Sequence, residues 1–405
     1  VNPYLEVDFL KHFNVVYNFY YDNFSNEHIL YDSDYMPRMN FLTGVVTNHA
    51  PTSAELSEAQ VYNWRNLEQS WKSNVVVNYA QTFNEKHEVS AIAGYEEYRW
   101  WKNEVDISKK GMVNTSLTDF NAMTEPAYLS GFSRELATRS WFGRVNYAYD
   151  DRYLFEANVR YDASSRFAPE NRWGMFPSFS AGWRISEEKF MQNANAIDEL
   201  KLRASWGQLG NSAIGSYYAY QSLYSVVNYV FGNSVSSGFG MASFSNPELQ
   251  WETTAVSNVG LDASLLNNRL NATVDLYNKV TDGILYQPSL STSLSYFASP
   301  YQNIAEVTNR GAEFTLGWQD TKKDFYYSVN ANFSLNHNEV TKYKGKLQRG
   351  WKDGEYYTNL GDVSTGGDTR VLEGHQINEY YLLNIYKGNG SHFNADGTVN
   401  IGGGP

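Results

Sequence analysis

Apolar and polar residues alternate one by one along several stretches of this chain, and this period of two limits its possible folds more than any other feature. In 325–336 the odd-numbered residues run from Phe325 to Leu335 and are aromatic or aliphatic, whereas the even-numbered ones are Tyr, Ser or Asn. The same alternation recurs in 270–280 and 153–162. Successive side chains of a strand point to opposite faces. The pattern therefore predicts an all-β chain whose strands have one apolar and one polar face.

The predicted strands have the length of membrane-crossing strands. They reach roughly nine to eleven residues, which cross a bilayer at a tilt, whereas globular strands average about five or six. Weaker candidates bring the number of readable strands to about eleven or twelve: 13–21, 71–79, 89–97, 141–149, 179–185, 200–206, 255–265 and 312–318. No apolar run approaches the ~18 residues of a helical span, so a helical membrane protein is excluded.

Short and long connections alternate along the chain. Short turns are expected at 83–87, 150–152, 267–268 and 320–324, and long polar or glycine-rich stretches at 22–63, 101–137, 211–250, 284–309 and from 340 onward. This asymmetry is typical of antiparallel up-and-down transmembrane barrels, with short periplasmic turns and long extracellular loops. Two connections also predict helical turns: 186–197, with Ser186 as N-cap, and 52–72.

The composition excludes several classes of protein. The formal net charge is −12 and cysteine is absent, which excludes disulfide frameworks and thiolate sites. The acidic balance argues against nucleic-acid binding, which needs a basic surface. Aromatic residues flank two of the short turns, Tyr149 and Tyr153 at one, Trp318 and Phe325 at the other. They predict an aromatic girdle at the periplasmic interface with the lipid bilayer.

Charged residues on the polar face are the first group of candidate functional residues. If the apolar face meets lipid, they line the lumen: Arg144, Glu156, Arg160, Asp162, Arg184, Lys201 and Arg203. One interpretation is a lattice that contacts an internal plug or the solute. The other is solvated charge that keeps a wet interior soluble.

Aromatic residues in the long connections are the second group. The candidates for contact with a ligand or a covering partner are Trp100, Trp101, Tyr217, Tyr218, Tyr220, Trp251, Tyr296, Phe297 and Trp351. Exposed rings among Asn, Ser and Gly suit stacking on sugars, peptide capture or contact with a partner protein equally well. We expect no catalytic residues, metal site or cofactor, because no nucleophile elbow, phosphate loop or metal-ligand spacing is present.

Motifs in the middle of the chain resemble the SusC/RagA family of TonB-dependent outer-membrane transporters. These motifs are Arg160–Phe167, Asn171–Gly174, Phe176–Ser178 and Ser180–Ile185, followed by Leu200–Arg203, Ser205–Gly207, Asn246–Glu252, Tyr277–Lys279 and Asn309–Gly311. The resemblance covers most of the chain from about Tyr62 to Trp318.

The resemblance implies one large barrel of twenty-two strands around an N-terminal plug, in the outer membrane of a bacterium such as those of the Bacteroidota. It also implies a SusD-like surface lipoprotein that closes over the barrel, import of oligosaccharides or peptides, and energy from the TonB complex acting on the plug.

Residues 1–405 are then expected to be part of one TonB-dependent receptor β-barrel domain, about half of the barrel, without the plug and the C-terminal strands. An open half-barrel would leave two unpaired strand edges that lipid cannot satisfy. Two alternatives stay open. One is an autonomous smaller outer-membrane barrel that acts as a porin or adhesin. The other is a secreted β-rich glycan-binding protein or glycosidase.

Overall fold

The computed structural model describes residues 1–32, 53–114, 117–287, 299–343 and 373–377, with short segments at 38–39, 43, 46–47, 347–352, 355–361, 369–370 and 379–380. The strands in chain order are β1 (Tyr4–Phe9), β2 (Phe13–Asp32), β3 (Arg38–Met39), β4 (Val46–Thr47), β5 (Gln60–Phe83), β6 (His87–Lys110), β7 (Tyr128–Tyr149), β8 (Tyr153–Ser164), β9 (Trp173–Arg184), β10 (Ile197–Asn211), β11 (Tyr224–Phe231), β12 (Ser234–Met241), β13 (Glu252–Leu265), β14 (Leu270–Tyr286), β15 (Gln302–Lys322), β16 (Phe325–Tyr343), β17 (Leu347–Lys352), β18 (Glu355–Gly361), β19 (Thr369–Arg370) and β20 (Glu379–Tyr380).

Helical structure in the described part of the chain is short. It consists of the α-helix α1 (Ser53–Glu58) and 3₁₀ turns at Phe120–Ala122, Pro169–Asn171, Ile185–Glu187 and Lys189–Met191. None of the helices among the described residues is long and apolar enough to cross a membrane. The predicted helical turn within 52–72 is confirmed by α1.

Within the described residues, twelve strands form one antiparallel sheet in the order β1-β2-β5-β6-β7-β8-β9-β10-β13-β14-β15-β16. Each strand pairs with its neighbours along the chain, apart from the short hairpins β3–β4 and β11–β12 inserted in the loops. The predicted all-β, up-and-down antiparallel architecture is therefore confirmed. The sheet is open in the described part, with β1 and β16 at its two edges.

Several strands are much longer than the predicted nine to eleven residues, whereas β8 and β9, with 12 residues each, are close to it. β5 and β6 contain 24 residues each and stay in register from Gln60 opposite Lys110 to Phe83 opposite His87. At roughly 3.3 Å per residue they span roughly 80 Å, which exceeds the ~40–45 Å of a whole bilayer. Parts of the predicted long loops 22–63 and 101–137 are therefore strand. The alternation fades there because both faces of the sheet are polar beyond the membrane.

Tight turns collect at one end of the sheet, as predicted. They lie at 10–12, 84–86, 150–152, 266–269 and 323–324. Residues in these turns adopt the left-handed region, for example Asn84 at φ 49° and Asp150 at φ 53°. The longer connection 185–196 holds two 3₁₀ turns. Ser186 lies inside the first of them and does not cap it, so the N-cap prediction was wrong.

The two faces of the sheet differ in polarity. One apolar row crosses five strands through Ala204, Val259, Leu276, Ala312 and Leu335. Leu276 and Leu335 are each 55% exposed, and a continuous apolar surface of this kind is typical of a membrane-facing barrel wall. The face that carries this row is referred to as the outer face, and the opposite one as the inner face.

Candidate functional site

The seven charged candidates of the polar pattern lie together on the inner face. They come from four consecutive strands, β7 to β10, and the register places Glu156 opposite Ser180, Arg203 opposite Gly182 and Lys201 opposite Arg184. Side chains paired in this way share one face of a sheet. Because the strands are antiparallel neighbours, residues up to 60 positions apart in the chain form one polar surface.

A chain of hydrogen bonds links three inner-face side chains at membrane depth. Arg144 Nε donates to Asn158 Oδ1 over 2.7 Å, and Asn158 Nδ2 donates to Glu156 Oε1 over 2.7 Å. Two residues beyond Asn158 in β8, Arg160 forms two hydrogen bonds with Asp162, of 3.2 and 3.1 Å. These groups line a cleft of about 650 Å³. The arrangement offers fixed donors and acceptors to a polar surface or solute in the lumen.

Arg203 is the most connected charge of the inner face. Its guanidinium lies 2.7 Å from Asp275 on β14 and 2.9 Å from Asp262 on β13, and a further hydrogen bond of 3.3 Å reaches Asn258. It lies directly over Gly260, where an added Cβ would come within 2.4 Å of Cζ. One arginine therefore connects three strands, β10, β13 and β14.

Asp262 and Asp275 were missed by the sequence analysis. Asp275 does stand in the polar row of the 270–280 alternation. Its role could not be read from that row, because the pairing with Arg203 depends on the register of two separate strand pairs.

Lys201 and Arg184 lie toward the periplasmic end of the inner face. Lys201 lines a cleft of about 500 Å³ together with Glu88 and Glu156. Arg184 donates to the carbonyl of Asp151 over 3.3 Å and lies 3.5 Å from Glu187. Arg184 is therefore engaged with the periplasmic connections.

A second ordered group lies at the periplasmic edge. Glu188 accepts hydrogen bonds from the Tyr153 hydroxyl over 2.6 Å and the Trp183 indole over 3.1 Å, and lies 3.4 Å from Arg152. The hydrogen bonds from Tyr153 and Trp183, followed by the charge of Arg152, hold the pKa of Glu188 below its usual value. This group fastens the connection 185–196 to the ends of β8 and β9.

The adjacent tryptophans of β6 point to opposite faces of the sheet. Trp100 lies on the inner face, stacks on Tyr217 with ring centroids 5.3 Å apart, and donates its indole hydrogen to Glu68 over 3.3 Å. Trp101 follows it directly in the strand and so faces outward. Both residues nevertheless line one cleft of about 420 Å³ at the extracellular end of the sheet.

Other aromatic candidates form hydrogen bonds or ring contacts within the protein. The Tyr218 hydroxyl accepts a hydrogen bond from the Glu135 amide over 3.1 Å, and the Tyr220 hydroxyl accepts one from Gln221 over 2.8 Å. Trp251 packs against Phe167 at 5.3 Å and donates to the Arg172 carbonyl.

For three aromatic candidates the position of the side chain is not among the described parts of the structure. Tyr296 and Phe297 fall outside the described residues. Trp351 lies in β17 opposite Tyr356, and its side chain is outside the description.

A charged and aromatic wall on the extracellular part of the inner face was also missed. Lys102 Nζ lies 2.8 Å from Glu104 and 3.4 Å from Glu68, and 6.0 Å above the ring of Trp64. A hydrogen bond from Asn66, followed by one from Trp100 and by Lys102, holds the pKa of Glu68 below its usual value. Lys102 and Glu104 fall in the predicted long connection 101–137, and Trp64 and Glu68 in the segment 52–72 for which a helical turn was predicted, whereas the structure has strand at both places. Their shared face was therefore not visible from the sequence. No group of His, Cys, Asp and Glu that could hold a metal occurs among the described residues.

The comparisons with known proteins agree with this architecture. The family model described as TonB dependent receptor-like, beta-barrel, matches residues 4–402. The chain is 38% identical over 280 residues to the TonB-dependent receptor SusC of Bacteroides thetaiotaomicron, over 65% of this chain and 27% of SusC. It is 37% identical over 289 residues to the TonB-dependent receptor P39 of Formosa agariphila, over 70% of this chain and 27% of that receptor.

Solved structures show the same fold. The structure of the RagAB peptide transporter superposes with a TM-score of 0.76 at 26% identity, over 92% of this chain and 38% of that chain. The chain thus spans about a quarter of the curated relatives' length and under half of the structural neighbour. It belongs to the TonB-dependent receptor-like β-barrel family, located in the outer membrane, and is a homologue of SusC.

Proposed function

We propose that this chain forms part of the wall of an outer-membrane transporter that imports oligosaccharides or peptides. The observation that carries the proposal is the inner face, where charged and amide side chains at membrane depth continue upward into a wall of Trp64, Trp100, Lys102 and Tyr217. Amide, carboxylate and ring groups on one continuous surface suit a solute with many hydroxyls or peptide groups. The proposed role of this chain is in transport and does not include catalysis.

The remaining barrel strands and an internal plug are proposed to come from chain outside these 405 residues. Within the described residues the sheet has open edges at β1 and β16, which supports this, because unpaired backbone groups are strongly unfavourable in lipid. The share of SusC that the chain covers, 27%, also supports it. In this arrangement the seven inner-face charges contact the plug or the passing solute. A SusD-like lipoprotein would cover the extracellular end, and TonB would act through the plug.

The test is uptake by cells that carry the full-length transporter, compared with cells in which its gene is deleted. Labelled oligosaccharides and labelled peptides of matched size are supplied separately, with and without a functional TonB complex. The proposal expects uptake of one of the two classes that depends on both the transporter and TonB. Uptake that persists without TonB would favour a porin, and no difference on deletion for either solute class would contradict transport.

Only one of these two relatives has a solute class in its description. RagAB is described as a peptide transporter, whereas the name of SusC states only that it is a TonB-dependent receptor. The inner wall contains both carboxylates and cations beside its rings. The uptake comparison therefore keeps both solute classes as separate arms.

A further inference from the structure

Aromatic residues form a second band on the outer face, above the predicted periplasmic girdle. Tyr95 lies against Trp141 with ring centroids 4.5 Å apart, and Tyr161 stacks on Trp173 at 4.5 Å. Trp141 and Tyr149 are eight residues apart in β7, which is about 26 Å along the strand at roughly 3.3 Å per residue and roughly 20 Å along the membrane normal at the ~35–45° tilt of such strands. An apolar band ~25 Å tall between two aromatic girdles is typical of outer-membrane barrels. The upper band therefore marks the extracellular membrane interface.

Arginines lie immediately above this upper band, on the same face. Arg139 is two residues above Trp141 in β7, and Arg99 is four above Tyr95 in β6. Each lies near the single carboxylate of Glu97, at 3.4 and 3.5 Å, and the two side chains remain 49% and 59% exposed.

Arg172 completes the group from the loop between β8 and β9. It lines the same cleft, of about 260 Å³, as Glu97, Arg99, Arg139 and Trp173. Its Nε is buried and has no hydrogen-bond partner. Three arginines thus line one cleft with a single carboxylate, Glu97, and Nε of Arg172 is already desolvated without an acceptor.

A larger cleft of about 420 Å³ adjoins the first and shares Arg99 and Arg172 with it. Its lining adds Glu135 and aromatic residues that include Trp71, Trp100, Trp101 and Tyr220. Aromatic rings beside arginines are suited to a sugar that carries an anionic group, because the ring face packs on the sugar and the guanidinium pairs with the anion.

We propose that Arg99, Arg139 and Arg172 bind the phosphorylated headgroup of a glycolipid in the outer leaflet of the outer membrane. Arg99 and Arg139 lie on the outer face of the sheet, opposite to the charged side chains of the proposed solute path. The position directly above a lipid-facing aromatic band favours a lipid over a soluble ligand, because the acyl chains of a lipid seated here continue along the apolar rows below. The excess of positive charge favours a phosphate-bearing headgroup.

The experiment is native mass spectrometry of the purified full-length transporter in detergent, titrated with lipid A or with the same lipid A after enzymatic dephosphorylation. Wild-type protein is expected to bind phosphorylated lipid A at least about tenfold more tightly. The triple variant Arg99→Gln, Arg139→Gln, Arg172→Gln is expected to lose about 100-fold in affinity, since each basic residue near an anionic surface contributes about fivefold. Lys323→Gln, which removes a cation from an exposed turn at the opposite end, serves as the control and should bind like wild type.

Equal binding of the two lipid A forms, or equal binding by the triple variant, would overturn the proposal. Displacement of lipid A by an equal concentration of inorganic phosphate would identify a site for free anions and also overturn it. A change in the mass of the oligomer without a change in lipid binding would identify a contact between copies of the protein. If the triple variant does not fold, the comparison of the two lipid A forms on wild-type protein decides the matter alone.

Discussion

Arg203 on β10 and Asp275 on β14 form a two-pronged ion pair across the intervening strand β13, with each of two guanidinium nitrogens 2.7 Å from a carboxylate oxygen. This geometry needs the space above Gly260, which any side chain would occupy. The glycine and the ion pair are therefore one structural unit, although 57 residues separate Arg203 from Gly260 along the chain.

Replacement of Gly260 by alanine is expected to displace the Arg203 guanidinium and leave Asp262 and Asp275 without their partner. Charged hydrogen bonds of this kind contribute about 1.5–3 kcal/mol each when formed, but the guanidinium is partly exposed and solvent screens it. A loss of about 1–2 kcal/mol in unfolding free energy is expected. Thermal unfolding of the full-length protein in detergent measures it.

Gly238→Ala in β12 is the matched control, because nothing lies within 4 Å of an added Cβ there. It should leave the unfolding temperature unchanged. A loss at Gly238 as large as that at Gly260 would show that the effect comes from backbone flexibility and not from the ion pair.

Neighbouring residues of β16 should respond in opposite ways to arginine. Leu335 is 55% exposed on the outer face and lies well above the level of Trp318 in the periplasmic girdle, so Leu335→Arg places a charge in lipid near the bilayer midplane and should weaken membrane folding by about 2–4 kcal/mol. Ser334→Arg places the same charge on the polar inner face, opposite Glu313, and should be mild. Urea-dependent folding into lipid vesicles measures both, and equal tolerance would contradict the assignment of the two faces.

Acid should loosen the extracellular wall around Glu68. The pKa of this carboxyl is lowered in the folded protein, so the unfolded form binds the proton more readily. Its contribution to stability is therefore present above the ordinary glutamate pKa, about 4.5, and is lost as the pH falls through the lower folded-state value.

Hydrogen exchange of the backbone amides in 64–70 and 100–104 is the measurement for this pH effect. Exchange, corrected for its intrinsic pH dependence, should accelerate below about pH 4.5. Glu68→Gln should abolish that acceleration and show faster exchange already at neutral pH. An unchanged acid response in Glu68→Gln would assign the effect to another group.

The two tryptophans of β6 provide a test of which face meets the solute. Trp100→Ala removes the ring that stacks on Tyr217 on the inner face, whereas Trp101→Ala alters the outer face. If the solute passes along the inner wall, uptake should fall several-fold more for Trp100→Ala. Initial uptake rates at matched protein levels measure this, and a larger loss at Trp101 would place the solute elsewhere.

The sequence was sufficient for the fold class, because alternation such as that of 325–336 persists wherever one face meets an apolar phase. It was not sufficient for strand length. Residues such as Glu68 and Lys102 stand in strands whose two faces both meet water, so the alternation that marks a strand is absent there.

Contacts between side chains on different strands also could not be predicted from the sequence. The polar positions of Arg203 and Asp275 were readable, but their contact depends on two registers and on Gly260. Loop aromatics posed a different difficulty. Trp100 and Trp251 look alike in the sequence, yet one indole lines the inner wall and the other packs with Phe167 inside the loops.

The unbroken register of β5 and β6 makes them one continuous hairpin that runs from the periplasmic turn to the extracellular rim. A slip by one residue would turn every side chain of the strand to the wrong side at once, so neither strand can slide against the other. A force applied at the periplasmic end would tilt or bend the whole hairpin. The displacement would therefore extend tens of ångströms to the extracellular rim. Movement confined to one level of the wall has to come from the loops and the inserted hairpins instead.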